Sequence, residues 1–125
     1  MLAFLLAALW ALPSFAAFRE ISGCKEADYV FVDRPSITVE IAGLMYNPKC
    51  LKVKSGTSVT IQGLFRHQIN AMPPFDGVQN PFKQDQPATT DQTRVLTAIG
   101  QYGIWCYPHG DENGEGMAAA FWVVP

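Results

Sequence analysis

Hydrophobic and polar residues alternate along most of the chain from Tyr29 onward, and turn residues interrupt the alternation roughly every ten positions. An alternation of period two predicts strands with one buried face. In Ile37-Thr38-Val39-Glu40-Ile41 and in Leu51-Lys52-Val53-Lys54, the apolar side chains would face a common core and the others would face water. The pattern predicts strands at 29–32, 37–41, 51–54, 58–61, 65–69, 93–98, 102–106 and 118–124.

Seven or eight short strands within about 100 residues are typical of an all-β protein with a Greek-key β-sandwich, here expected to be antiparallel. Between Asn70 and Gln92 the chain carries Pro73, Pro74, Pro81 and Pro87. Proline has no N–H for a strand ladder, so this segment is predicted to be a long irregular connection.

Three aromatic residues near the end of the chain are assigned structural roles. Tyr102 stands four residues before Cys106, which favours a tyrosine that closes a corner of the sandwich. Trp105 and Trp122 are expected in the core, because large aromatic side chains contribute strongly to core packing.

The first part of the chain is an uncharged apolar segment, Leu2 to Ala17. It is long enough for the apolar core of a secretory signal and short for a membrane span. Ser14 and Ala16 satisfy the small-x-small rule for cleavage after Ala16. We therefore predict a signal peptide at residues 1–16 and a single domain at 17–125. The alternative is an N-terminal membrane anchor that is never removed.

The composition limits the partners that the protein can bind. Nine Lys and Arg against eleven Asp and Glu leave a formal net charge of -2, so no excess positive charge is available to follow a phosphate backbone. We expect no nucleic-acid partner. With 125 residues, 49% of them hydrophobic, the chain can bury the core of one domain and has no room for a second. Nothing indicates an obligate oligomer, and we expect a monomer.

Three cysteines, Cys24, Cys50 and Cys106, follow the apolar segment. An exported protein in an oxidising compartment should pair an even number of them. We predict a Cys24–Cys50 disulfide that leaves Cys106 free. The alternative is that Ile21-Ser22-Gly23-Cys24 is a lipobox-like site with an acylated Cys24.

Four residues of the second half of the chain have side chains that bind soft metals. The only two histidines are His67 and His109; Cys106 precedes His109 with two residues between them, and Met117 follows. Two imidazoles and a thiolate in a trigonal plane, with a weak axial thioether, are the ligands of a mononuclear electron-transfer copper site. Zinc prefers four strong ligands, and a thioether is a poor fourth. The set predicts one copper ion per chain.

At these residues the chain resembles the cupredoxins, the small copper proteins that include plastocyanin, pseudoazurin and azurin. The resemblance covers most of the chain from Ile37 to Val124. It is carried by Met45 to Thr60, which is similar to the strand pair ahead of the family's first histidine, and by Gly100-Gln101-Tyr102, Cys106-Tyr107-Pro108-His109 and Gly114-Glu115-Gly116-Met117. It implies that His67 is the upstream ligand, Cys106 and His109 are the paired ligands, and Met117 is the axial ligand.

The sequence differs from the plastocyanin pattern in two places. Seven residues, Gly110 to Gly116, separate His109 from Met117 where plastocyanin-like proteins have four. Met72 is therefore kept as a second candidate for the axial ligand. Gln68 follows His67 where the family often has an Asn that ties the two ligand loops together by a hydrogen bond.

The resemblance implies a one-electron carrier between larger redox proteins, with copper cycling between Cu(I) and Cu(II). No open coordination position, carboxylate pair or nucleophile–base pair in the sequence indicates an enzyme. The alternative is a periplasmic copper-binding protein that stores or delivers the metal without redox cycling. We expect the protein to be exported to a bacterial periplasm or its equivalent, either free or membrane-tethered, with no integral membrane span in the mature chain.

Redox partners are expected to dock near His109, through an apolar patch. Tyr107 and Pro108, with Met72, Pro73 and Pro74, are the candidates for that patch. The longer loop adds Asp111, Glu112 and Glu115 beside it, and these charges would steer a basic partner surface.

Overall fold

The computed structural model of the chain describes residues 17–83 and 88–125, so the predicted signal peptide at 1–16 lies outside the described residues. This part of the chain forms nine β-strands and a single 3₁₀ turn, Glu26–Asp28. The strands are β1 (Val30–Val32), β2 (Ser36–Ala42), β3 (Met45–Asn47), β4 (Cys50–Lys54), β5 (Thr57–Ile61), β6 (Gln68–Ala71), β7 (Gln92–Leu96), β8 (Gly100–Gly110) and β9 (Gly116–Val124). No helix within 17–83 or 88–125 is long and apolar enough to cross a membrane.

The strands form two sheets that pack face to face. One sheet has the order β1-β4-β9-β8-β6 and the other has the order β3-β2-β5-β7. The all-β sandwich is confirmed, although the described residues form nine strands rather than seven or eight. The sheets are mixed rather than antiparallel, since β1 pairs with β4, β2 with β5 and β4 with β9 in parallel. Most connections cross from one sheet to the other, and such crossings allow parallel neighbours that tight hairpins cannot join.

One strand was missed by the prediction and another begins later than predicted, each for a local reason. The strand that the pattern missed, β3, has three residues, which is too short to show an alternation, and it pairs with the end of β2. The strand predicted at 65–69 begins only at Gln68, because Leu64 and His67 are bridged in a turn.

The main core lies between the two sheets and is built from alternating strand positions. Leu51 and Val53 of β4 are fully buried and Lys54 is exposed, as the pattern predicts. Phe82 and Phe121 stack in this core with ring centroids 5.3 Å apart. Burial of each such large apolar side chain stabilises the fold by roughly 1.5–3 kcal/mol. Other fully buried members are Val39, Val59, Ile61, Ile69, Leu96, Ile104 and Val123.

The aromatic residues near the end of the chain divide between the core and the surface. The hydroxyl of the buried Tyr102 donates a hydrogen bond to the carbonyl of Ala98, which confirms the corner role. Trp105 is partly buried and packs against a second buried cluster rather than in the main core, and the core prediction for Trp122 is wrong because that residue is partly exposed and belongs to neither cluster. The Lys52 ammonium lies 4.2 Å from the centroid of the Trp122 ring, so that ring has a polar neighbour that the main core excludes.

The outer face of the first sheet is covered by the N-terminal segment of the domain. Ile21 and Met72 are buried there against Ala118 and Ala120 of β9. Alanine at these positions leaves room for another piece of chain to approach the central strand. β9 is therefore buried on both of its faces from Met117 to Phe121.

The Cys24–Cys50 disulfide attaches this N-terminal segment to the start of β4. Cys106 is the free cysteine and is buried. The predicted pairing is confirmed. The lipoprotein alternative is wrong, because the Cys24 sulfur is already bonded to Cys50.

Removing this disulfide should destabilise the domain measurably. The bond joins residues 26 apart in sequence. In the chain-entropy account, a loop of that length stabilises the folded state by about 3.5 kcal/mol. We expect Cys24→Ser/Cys50→Ser to lower the free energy of unfolding by about that amount in a urea titration. Equal unfolding midpoints for the parent and the double variant would contradict this role.

Candidate metal centre

His67 is placed by a tight turn in front of β6. The His67 N–H donates to the Leu64 carbonyl at 3.0 Å, which closes the turn. Arg66, inside it, has a φ of 69°, a left-handed conformation that is uncommon for a residue other than glycine. The turn therefore carries local strain immediately beside a candidate ligand.

Cys106 and His109 are placed by an irregularity in β8. Trp105 is opposite Ala118 on β9, and the next registered pair is Gly110 with Gly116. The four residues from Cys106 to His109 therefore share the space opposite one residue, Met117. A bulge of this kind bends the strand and changes where its side chains point. The bulge places Cys106 and His109 opposite Met117 on the neighbouring strand.

The three strong candidate ligands converge on one point. Cys106 Sγ lies 3.5 Å from His67 Nδ1 and 3.7 Å from His109 Nδ1, and all three ligand atoms lie within 4.8 Å of one another. Metal–sulfur and metal–nitrogen bonds of about 2.3 and 2.0 Å require S···N separations of about 3.5 Å at a tetrahedral angle and about 3.7 Å at a trigonal one. The observed separations match this range, so a metal ion fits between the three side chains.

The site is buried on its sulfur side and reaches the surface on its histidine side. Cys106 and Met117 are 0% and 2% exposed, whereas His67 and His109 are half-buried. The two imidazole rings are 4.8 Å apart between centroids.

Burial also affects the ionisation of the candidate ligands. It lowers the pKa of His67, and the neighbouring His109 lowers it further, which favours the neutral imidazole that binds metals. Burial raises the pKa of the Cys106 thiol, although a backbone hydrogen bond from His109 opposes the rise. A metal would therefore displace a proton from Cys106 on binding.

The two methionines considered for the axial position lie in different parts of the protein. Met117 belongs to the core cluster that contains Cys106, and its backbone lies opposite the bulge. Met72 belongs to the cluster on the outer face of the first sheet, with Ile21 and Ala118. The Met72 alternative therefore finds no support in the structure, while Met117 shares the core cluster of Cys106 and lies opposite residues 106–109 on the neighbouring strand.

The longer loop between His109 and Met117 is an ordered hairpin tip. The Asp111 N–H donates to the Glu115 carbonyl at 3.2 Å. The Asp111 carboxylate accepts from the N–H groups of Asn113 at 2.9 Å and Glu115 at 3.2 Å. The additional residues extend the β8–β9 hairpin outward, so Met117 keeps its place at the beginning of β9.

The two segments that carry the histidines are joined by backbone pairing between β6 and β8. Gln68 pairs with Tyr107, and Ile69 pairs with Cys106, across β6 and β8. Gln68 also lines a surface depression with Arg66 and His109.

The surface around His109 differs in part from the predicted patch. Its lining residues are Phe65, Arg66, Gln68, Tyr107, Pro108 and His109. Phe65 is 81% exposed and Tyr107 is 56% exposed. Met72 is buried, and it lines a different depression together with Pro73, Arg19 and Glu112, so the structure does not place Met72 and Pro73 among the residues around His109. Sequence analysis missed Phe65, because it was assigned to a strand.

Comparisons with known proteins are consistent with this architecture. No protein-family model and no curated protein sequence matches the chain. Among solved structures, a pseudoazurin from Sinorhizobium meliloti superposes with a TM-score of 0.57 at 20% identity, over 75% of this chain and 76% of its own. Plastocyanin from Dryopteris crassirhizoma superposes with a TM-score of 0.52 at 18% identity, over 70% of this chain and 100% of its own.

A larger protein also matches. The copper-containing nitrite reductase from Thermus scotoductus superposes with a TM-score of 0.52 at 19% identity, over 79% of this chain but only 28% of its own. At these identities the likenesses establish the fold and not the function. The chain has a cupredoxin-like fold.

Proposed function

We propose that the protein is an exported mononuclear copper protein that carries single electrons between larger redox proteins. The observation that supports this most strongly is the convergence of Cys106 Sγ on His67 Nδ1 and His109 Nδ1, at 3.5 and 3.7 Å. Thiolate and thioether favour Cu(I), and imidazole accepts both oxidation states, so a bound copper would supply one-electron chemistry. In this proposal His67, Cys106 and His109 are the strong ligands, and Met117 is the axial ligand.

The form of the site favours an electron carrier over an enzyme. Cys106 and Met117 are fully buried, and only the histidine side approaches solvent. Cys106, His109 and Met117 lie on the paired strands β8 and β9, and a hydrogen-bonded turn holds His67, which would let a copper ion change charge with little rearrangement. A substrate would need an open metal position, whereas an electron needs only a short path through the edge of His109.

The cellular location is part of the same proposal. The Cys24–Cys50 disulfide supports an oxidising compartment, and the apolar segment before residue 17 supports export. A bacterial periplasm or its equivalent meets both conditions, with the protein either free or tethered. We propose that it acts there as a monomer.

Copper loading tests the proposal directly. The purified protein should bind one Cu(II) per chain and develop an intense visible absorption from charge transfer between the Cys106 thiolate and the metal. The colour should disappear on reduction and return on reoxidation over many cycles. Tight binding without reversible cycling would favour copper storage or delivery. A tightly bound colourless zinc form with no coloured copper form would exclude the copper site.

The electrostatics of the docking face give a further prediction. The acidic residues of the hairpin tip follow His109 closely in sequence, so in this proposal they steer a basic partner toward this end of the molecule. Glu112→Gln/Glu115→Gln should lower the rate of electron transfer to a basic acceptor by on the order of threefold at low salt, with the difference vanishing at high salt. Stopped-flow measurements across a salt series would determine both values. Asp111 is left unchanged because its carboxylate holds the hairpin together.

The matched control changes two carboxylates that lie elsewhere. Glu26→Gln/Glu40→Gln alters the 3₁₀ turn and β2, and it removes the same net charge. If this control changed the salt dependence as much as the hairpin variant did, steering would arise from net charge alone.

Tyr107→Lys should lower the rate even at high salt, because it places a charge in the apolar contact surface.

A further inference from the structure

The hairpin tip that joins β8 to β9 is in contact with the N-terminal segment of the domain. A Cβ on Gly114, in the tip, would lie 2.9 Å from the Cα of Ser22 and 3.0 Å from its backbone nitrogen, so the two backbones meet with no room for a side chain. Glu112 and Asn113 of the tip line a depression that the N-terminal segment also lines. The metal centre as described so far does not use this contact.

Ser22 belongs to a tight turn with an uncommon backbone conformation. The Cys24 N–H donates to the Ile21 carbonyl at 2.8 Å, which closes the turn. Between them, Ser22 and Gly23 have φ values of 54° and 72°. Glycine adopts this left-handed conformation readily, whereas serine does so rarely. A residue in such a conformation persists only where its surroundings hold it, and such positions cluster at functional sites.

The turn Ile21–Cys24 is fixed on the first sheet independently of the hairpin tip. The Ser22 hydroxyl donates to the carbonyl of Ala119 on β9 at 3.2 Å. The disulfide joins Cys24 to Cys50 on β4. Ile21 is buried against the outer face of the same sheet. The turn therefore offers the tip a support that does not move with it.

We propose that the turn Ile21–Cys24 positions the hairpin tip and, through it, the spacing of His109 and Met117 around the metal. The inference rests on the proposed copper site and adds Ser22 and Gly114 to it as positioning residues. Seven residues separate the two candidate ligands, and a longer loop has more conformations than a shorter one. A contact at the tip removes part of this freedom, so a bound copper ion should dissociate more slowly.

Amide hydrogen exchange in the metal-free protein tests the contact itself. The Gly114 N–H donates to the Asp111 carbonyl at 3.0 Å, so its exchange rate reports opening of the tip. Cys24→Ser/Cys50→Ser frees the turn and should speed this exchange by on the order of tenfold, the size of a typical coupling between neighbouring residues. Leu96→Ala is the control, because it destabilises the core from β7, on the other sheet, and should leave the rate unchanged.

Copper release tests the effect on the metal. Gly114→Ala places a methyl group against the backbone of Ser22 and should force the tip away from the turn. Copper should then dissociate into an excess of chelator on the order of tenfold faster, at the low end of the losses seen when support for a ligand is removed. Gly56→Ala is the matched control and should keep the parent rate. Its φ of 96° is close to the 87° of Gly114, and no atom of the described residues lies within 4 Å of its would-be Cβ.

Combining the substitutions separates the contact from general strain. In the Cys24→Ser/Cys50→Ser protein the turn can move aside, so copper release should already be faster, and adding Gly114→Ala should change it much less than in the parent. Such non-additivity is the mark of two sites that act through one contact. Equal factors in the two backgrounds would overturn the inference.

The remaining results also decide between the possibilities. A coloured parent whose copper release is equal in Gly114→Ala and Gly56→Ala overturns the inference while the copper site stands. Gly114 exchange that rises as much in Leu96→Ala as in the disulfide variant overturns it too, because general stability and not the turn would then hold the tip. A parent that takes up no copper defeats the proposed function and the role of the turn with it, whatever the exchange rates.

Discussion

Cys106→Ser is expected to abolish the visible absorption of the copper-loaded protein and to weaken copper binding by more than about a hundredfold. Loss of a group that merely supports a metal ligand typically costs 10–100-fold in affinity, and loss of the thiolate itself should exceed that. A serine hydroxyl at this position is neutral and is a poor ligand for Cu(I). Absorption spectroscopy and a competition titration with a copper chelator would measure both effects.

The fold should survive this substitution. Serine is close to cysteine in size, and the backbone pairing between Ile69 and Cys106 does not involve the side chain. Cys24→Ser/Cys50→Ser is the control with the opposite result: it should lose stability and keep the colour. A Cys106→Ser protein that still showed the intense band would exclude the thiolate as its source.

The candidate ligands were predictable because their chemistry is local in sequence. Cys106 and His109 stand three positions apart, and His67 is the only other histidine. Their types alone limit the metals that could bind. The alternation in β4 and β5 likewise identified the inward positions, because a strand that is buried on one face must repeat every second residue.

The geometry that brings these ligands together was not predictable from the pattern. β8 extends from Gly100 to Gly110 without a break in its assignment, and the bulge is visible only from its register with β9. The turn before His67 depends on a left-handed Arg66. Arginine rarely adopts this conformation, so the sequence does not indicate it. Each feature depends on contacts between distant segments, which single-sequence periodicity does not encode.

The choice between the two methionines was decided by packing in the same way. In sequence Met72 is close to His67, and Met117 follows an unusually long loop. The first sheet itself separates Met72 from the site, because the N-terminal segment buries Met72 on the outer face of that sheet, whereas Cys106 and Met117 belong to the main core. That segment has no periodic pattern, and its position is fixed by the disulfide.

Gly116→Ala is expected to destabilise the protein strongly and to disturb the metal centre. Gly116 has a φ of 68°, which costs an alanine roughly 1–2 kcal/mol. A Cβ there would also lie 2.4 Å from the His109 carbonyl oxygen, where no side-chain atom fits. The clash should add roughly 1–3 kcal/mol, as overpacking does elsewhere. Urea unfolding and the copper absorption band would report the two effects.

Gly43→Ala separates the two causes, because Gly43 has a φ of 62° and nothing within 4 Å of its would-be Cβ. That variant should lose only the roughly 1–2 kcal/mol of the left-handed conformation and should keep the full copper band. In Gly116→Ala the chain can relieve the clash only by moving Gly110 and His109 away from β9, and this separates His109 from Cys106 and Met117. Equal losses of stability and equal absorption in the two variants would contradict this prediction. The close approach of Gly110 and Gly116 would then not hold the bulge, and the ligand geometry would depend on the turn before His67 instead.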